Sequence, residues 1–259
     1  MPISSRSTGL GASGAGPLRK GSRSLKCAKE VPMEGKELLR MVPLFSDLKD
    51  EELELLAQVS YPAHFCKGQV ILMEEEEGNT LFVIERGRVK VSVQGRDGRE
   101  FVLAVLGEGD FFGEMALLDG KPRSATVVAL EDTTALTLRR GDFLAIIHRN
   151  PWVAVRLLEE MARRIRVADN KMKSLALLDV TGRIVYSLLQ MAEDGVRTSE
   201  GVLLPSRVTR QLLADMSGTS RETVSRTLGR LRDEGYIRIN GRRIVILKEK
   251  QLWNDFLPL

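Results

Sequence analysis

Cysteine is nearly missing from this chain. Cys27 and Cys66 are the only two in 259 residues, and neither lies in a CxxC or mixed Cys/His array. That excludes a disulfide framework and an iron–sulfur sensor, which needs four ligands. Histidine is as scarce, with only His64 and His148. No nucleophile–base pair or metal-ligand set emerges from the remaining residues, so an enzyme is not expected, nor a metal or redox cofactor. No apolar run approaches the roughly 18 to 20 residues a membrane span requires, and no apolar signal core stands near the first residue. The expectation is a reduced, cytoplasmic protein.

What is present is aliphatic and charged. Hydrophobic residues make up 43% and charged residues 29% of the chain, enough apolar material for one to two domains. The net charge of +4 is small, but it is unevenly placed. Residues 1–34 hold 6 basic and 2 acidic side chains, 35–150 hold 14 and 20, 151–178 hold 6 and 3, and 179–259 hold 13 and 10. An acidic body with basic flanks points to a polyanion partner at one end.

The chain divides by pattern. Residues 1–34 are rich in Gly, Ser and basic side chains and read as a disordered arm. Within 35–150, a helical pattern after Ser46 is followed by short β-type runs, ILM, LFVI, VKVSV, EFVLAVL, ATVVAL and TALTL, separated by glycine turns. Six or more strands at that spacing make a sandwich or barrel. After Asn150-Pro151 the period becomes helical through about residue 178. Val155, Leu158, Ala162, Ile165, Met172 and Leu175 recur at coiled-coil spacing, which predicts a helix that pairs with a second copy. Residues 179–250 read as helices near 180–193, 207–216 and 220–234, then a hairpin around Asn240-Gly241, the order of a winged helix-turn-helix. Residues 251–259 read as a tail.

Two segments carry chemistry. In Thr209–Arg226, Ala214 permits close helix approach, Gly218 supplies a turn and Ser220 caps the next helix. Leu213, Met216, Val224, Leu228 and Leu231 can form the core of that helix pair, leaving Arg221, Glu222, Ser225 and Arg226 outward. Arginine pairs with guanine O6/N7 and glutamate accepts from cytosine N4 in a major groove. Arg210, Thr223, Arg242 and Arg243 suit phosphate contacts. The second segment is Gly109–Thr126. A short helix from Gly113 would aim backbone N–H groups at an anion, with Arg123 as a fork and Ser124 as a hydroxyl. Glu114 makes sense beside an anion only if it accepts from sugar hydroxyls, and a cyclic nucleotide has both groups.

The runs MARRIRVADNKMKSLALLDVTGRI and TRQLLADMSGTSRETVSRTLGRLRDEGYI resemble the cyclic-AMP receptor protein and fumarate–nitrate regulator superfamily of bacterial transcription factors, over roughly residues 36–250. The resemblance implies an α+β chain: an N-terminal double-stranded β-helix (jelly roll) that binds a cyclic nucleotide, a long dimerisation helix, and a C-terminal winged helix-turn-helix with its motif at about 210–229. It places Gly113, Glu114, Met115, Ala116, Arg123 and Ser124 around the ligand, Glu114 on the ribose 2′-OH and Arg123 with Ser124 on the cyclic phosphate. Ala168 and Asp169 match the base-contacting pair, of which one residue comes from each subunit. Asp169 can accept from an exocyclic amine, whereas Ala168 cannot hydrogen-bond through its side chain. Cyclic AMP is the favoured effector. Asp169 with Arg163, Arg164 and Arg166 leaves cyclic di-GMP as an alternative, and ligand-independent DNA binding is another. Arg221, Glu222 and Arg226 match base-reading positions for a palindromic TGTGA-like operator, with Ser225 as a departure. Leu177, Leu178 and Asp179 match a hinge, and double-stranded DNA, RNA polymerase and a second copy are the implied partners.

Overall fold

The computed structural model describes residues 35–205, 208–241 and 243–257. The expected arm at 1–34 and the wing residue Arg242 therefore lie outside the described residues. The chain begins with α1 (Gly35–Met41), a 3-10 turn (Pro43–Phe45) and α2 (Asp50–Gln58), followed by β1 (Tyr61–Phe65), β2 (Val70–Leu72), β3 (Thr80–Arg86), β4 (Val89–Gln94), β5 (Glu100–Leu106) and β6 (Phe111–Phe112). Helix α3 (Glu114–Asp119), β7 (Thr126–Ala129), β8 (Thr133–Arg139) and α4 (Arg140–Arg149) complete the first unit. Its strands form two antiparallel sheets, ordered β1-β8-β3-β6 and β2-β7-β4-β5.

Alternation along β3 explains why its LFVI run is apolar throughout. Phe82 and Ile84 join Val89, Leu106, Phe112, Val127 and Ala135 between the sheets, while Leu81 and Val83 face a helical layer containing Leu38, Leu53, Phe143 and Val153. Successive side chains point to opposite faces, so a strand covered on both sides must be apolar at every position. The expected strands are all present. To them the structure adds β1, β6 and α4, where a helix was expected to begin only after Pro151.

Helix α5 (Trp152–Leu177) runs 26 residues, about 39 Å at 1.5 Å per residue. Val153 and Leu157 pack into the helical layer of the first unit. It ends where Leu178 turns extended (φ −95°, ψ 145°), and Asp179 then caps α6 (Val180–Glu193) by accepting from the Gly182 N–H at 2.7 Å. The C-terminal unit continues with β9 (Val196–Thr198), β10 (Gly201–Leu203), α7 (Arg210–Ser217), α8 (Arg221–Asp233), β11 (Ile237–Asn240), β12 (Arg243–Ile246) and α9 (Glu249–Phe256), with strand order β11-β12-β10-β9.

Three expectations for this unit change. The wing turn falls one residue later, because Asn240 pairs with Arg243. A second hairpin, β9–β10, extends the sheet beyond the wing. Of the expected tail at 251–259, residues 251–256 instead finish helix α9, and Leu252 and the capping Leu257 are buried in the unit's core. Among the described residues no helix is long and apolar enough to cross a membrane.

Candidate functional site

Helix α3 starts from Gly113, whose φ of 86° is left-handed, a conformation that costs other residues. The peptide turns there so that the Gly113 carbonyl meets Arg123. Arg123 is buried; its Nη1 donates to the Gly113 carbonyl at 2.7 Å and its Nη2 to the Thr80 carbonyl at 2.9 Å. Its Nε is buried and, among the described residues, has no hydrogen-bond partner. Burial also pulls the guanidinium below its ordinary pKa, the Glu114 charge opposing that shift. A buried donor without a partner on a desolvated cation is a standing demand for an acceptor.

Glu114 is buried as well. Its carboxylate accepts from Arg164 Nη1 at 3.0 Å, while Arg164 also donates to the Phe111 carbonyl at 2.7 Å and to Glu160 at 2.8 Å. The Arg164 guanidinium lies over the Phe111 ring, 4.6 Å from its centroid. The long helix is thus tied directly to the start of α3. Fifty residues separate Arg164 from Glu114, so no local pattern announced this pair. Ser124 is exposed, with its hydroxyl 3.4 Å from the Met115 sulfur, and Asp110 accepts from the Gly107 N–H at 2.8 Å, with burial raising its carboxyl pKa.

These groups open onto a cavity of about 570 Å³, within the range of small-molecule sites. Gly113, Glu114, Met115, Ala116, Arg123 and Ser124 all line it. Strands β4 and β5 and the α5 residues Arg164, Val167, Ala168, Lys171, Met172 and Leu175 form its sleeve, and Gln190, Glu193 and Met216 of the C-terminal unit close the far side. Asp169 does not line it and is exposed on α5. Arg163 and Arg164 are both engaged by Glu160.

The C-terminal unit presents a separate surface. Thr209 caps α7 by accepting from the Leu212 N–H at 3.0 Å, Gly218 takes the left-handed turn (φ 62°), and Ser220 caps α8 by accepting from the Thr223 N–H at 3.2 Å. Leu213, Met216, Val224, Leu228 and Leu231 are buried, as expected. Arg221, Glu222, Ser225 and Arg226 are exposed along α8, with Arg210 exposed at the start of α7 and Arg243 exposed on the wing. Among the described residues Glu222 and Arg226 do not pair; Arg226 instead reaches the Thr223 hydroxyl at 3.4 Å. The Ser225 hydroxyl donates to the Arg221 carbonyl at 2.9 Å. Arg183 ties this unit to the bend by donating to the Leu178 carbonyl at 3.2 Å and to the Ser217 carbonyl at 2.9 Å.

Residues 62–150 match the family model of the cyclic nucleotide-binding domain, and residues 182–254 match that of the Crp-like helix-turn-helix domain. A cyclic AMP receptor protein of Thermus thermophilus is 39% identical over 213 residues, covering 82% of this chain and 95% of the relative. The cAMP-activated global transcriptional regulator CRP of Salmonella typhimurium is 37% identical over 200 residues, 76% of this chain and 94% of its own length. The solved structure of FixK2 from Bradyrhizobium japonicum superposes with a TM-score of 0.69 at 25% identity, covering 76% of this chain and 96% of that one. These are transcription regulators rather than enzymes. With a nucleotide-binding β-roll, a long helix and a Crp-like reader in one chain, the protein belongs to the Crp/Fnr superfamily of DNA-binding, cyclic-nucleotide-responsive transcription regulators.

Proposed function

We propose that the protein is a homodimeric regulator whose hold on a TGTGA-like palindrome is gated by cyclic AMP. The observation that carries the reading is the buried Arg123 guanidinium, held by two carbonyls with Nε unpartnered, beside the buried carboxylate of Glu114. An anion and a sugar hydroxyl a few ångströms apart match that pair. The cyclic phosphate goes to Arg123 and Ser124 and the ribose 2′-OH to Glu114, which Arg164 already orients. Relatives named for cyclic AMP support the choice of base.

The dimer is supported by an apolar stripe that one chain leaves in water. On α5, Leu158 is 68% and Ile165 61% exposed, with Val155, Met172 and Leu175 exposed beside them. Exposed aliphatic side chains at coiled-coil spacing are covered by a second helix. Asp169 lies on the same stripe, four residues after Ile165 and three before Met172. There it faces the other subunit and accepts from the adenine amine in the partner's cavity. Ligand in the cavity then biases how the two long helices pack, and the bend at Leu177, Leu178 and Asp179 transmits this to the spacing of the recognition helices, one DNA turn or about 34 Å. Arg221, Glu222 and Arg226 read bases; Arg210, Thr223, Arg242 and Arg243 hold phosphates, and Ser220 sets the helix start. From the operator the dimer would act on RNA polymerase, in the cytoplasm.

Fluorescence anisotropy of a labelled operator, with and without cyclic AMP or cyclic di-GMP, tests this. Tighter binding with cyclic AMP that Arg123→Ala abolishes, while non-specific binding persists, is the expected result. Affinity unchanged by either nucleotide would favour ligand-independent binding. Arg221→Ala should cost roughly 1 to 3 kcal/mol on cognate DNA and relax one base position; uniform weakening on all sequences would remove its base-reading role.

A further inference from the structure

Past Ala168, the α5 wall of the cavity holds one polar side chain, Lys171, set between apolar Val167, Met172 and Leu175. It is 7% exposed. Its ammonium donates to the Val102 carbonyl of β5 at 2.8 Å and stands 5.0 Å from the centroid of the Phe101 ring, which also lines the cavity. Three N–H donors are available and one is used. Among the described residues no carboxylate pairs with it. A buried cation with a single neutral acceptor is expensive to keep, and an apolar side chain of similar length would fill the space at lower cost. The fold therefore does not explain the charge.

The ligand does. Arg123 and Glu114 hold the phosphate and ribose at one end of the cavity, and Ala168, where the base should be read from this chain's own helix, has no hydrogen-bonding group. Lys171 lies one turn further along the same face. We infer that Lys171 is a base-contacting, specificity-determining residue of this site, donating to a ring nitrogen on the acceptor edge of a purine, N1 or N7, while the Phe101 ring packs against the base. Aromatic faces accept any base, so the selection rests on the donor. The inference rests on the cyclic-nucleotide reading above and complements the amine contact given to the partner's Asp169: one side chain takes the donor of adenine, the other its acceptor.

The test is isothermal titration of the full chain with cyclic AMP and its 1-deaza and 7-deaza analogues, each lacking one ring acceptor, against wild type, Lys171→Met and Lys171→Gln. In wild type one analogue should bind about 10-fold or more weaker than cyclic AMP, the scale of a hydrogen bond to a charged donor. That deficit should vanish in Lys171→Met and return in part in Lys171→Gln, which keeps a donor; circular dichroism checks both folds, and Lys171→Gln stands alone should Lys171→Met not fold. Analogues that bind wild type as well as cyclic AMP does, or a deficit unchanged in both variants, overturn the inference while leaving the cyclic-nucleotide reading intact. Failure of wild type to bind cyclic AMP at all overturns both.

Discussion

Lys171 also leaves a mark on folding, independent of any ligand. Burial pushes its pKa down from an ordinary value near 10.5 to about 8. Between those values the unfolded chain holds a proton that the folded chain has released, so stability rises with pH across that window and is flat, for this group, on either side. The full shift is worth roughly 3 kcal/mol at 1.36 kcal/mol per unit. Over a practical range from pH 7.5 to 9.5, the two titration curves differ by about 2 kcal/mol. Lys171→Met removes the titration and nothing else that ionises. Urea unfolding of both proteins, without ligand and at one fixed protein concentration, gives the free energies at the two pH values. Other lysines and tyrosines titrate in both, so the difference of differences isolates Lys171. Wild type should gain about 2 kcal/mol more than the variant on going to pH 9.5. Equal changes in the two proteins would mean that the ammonium is hydrated in the folded state, and the argument from its burial would fail.

Three further outcomes follow from the geometry. Glu75 has φ 71°, a left-handed conformation costing an L side chain roughly 1 to 2 kcal/mol, so Glu75→Gly should stabilise by about 0.5 to 1 kcal/mol after glycine's own entropy is counted; a lowered urea midpoint would refute the strain. A Cβ at Gly78 would overlap the Arg123 guanidinium, so Gly78→Ala should drive that group from its two carbonyls and weaken nucleotide binding by about 10-fold or more, while non-specific DNA binding stays; calorimetry showing wild-type affinity would contradict the placement of Arg123. Leu252→Ala, at a fully buried position of α9, should destabilise by roughly 2 to 5 kcal/mol, and a loss under about 0.5 kcal/mol in the same urea assay, the scale of a surface change, would return this segment to the status of a tail.

The parts legible in the sequence were those encoded locally. The LFVI and VKVSV runs, the glycine between α7 and α8, and the Ser220 cap each act within a few residues of themselves. Strand β1 was hidden because Pro62 interrupts its pattern; it is tolerated because β1 lies at the sheet edge. Helix α4 follows β8 with no residue between them, and Gly141 at its second position reads as a turn rather than a helix, while α9 is a single octet in which Leu252 alone is fully buried. In the cavity wall, Arg123 and Glu114 were readable because both lie in one short segment, Gly109–Thr126. Arg164 was not, since its partner lies fifty residues away, and Lys171 was not, since a lysine on a helix ordinarily marks the wet face.

Val102 belongs by sequence to β5 of the nucleotide-binding unit, yet it is fully buried in the same cluster as Leu213, Met216 and Val224 of the DNA reader. Beside it, a Cβ at Gly218 would come within 3.6 Å of the Phe101 ring. The two halves therefore share a hydrophobic seam, and parting them would wet both sides of it. Dissection is constrained accordingly: a fragment ending at the bend would carry an apolar strip on β5, prone to self-association, and would report poorly on the nucleotide affinity of the whole chain. The intact protein should instead melt as a single cooperative transition, with reader and sensor losing structure together.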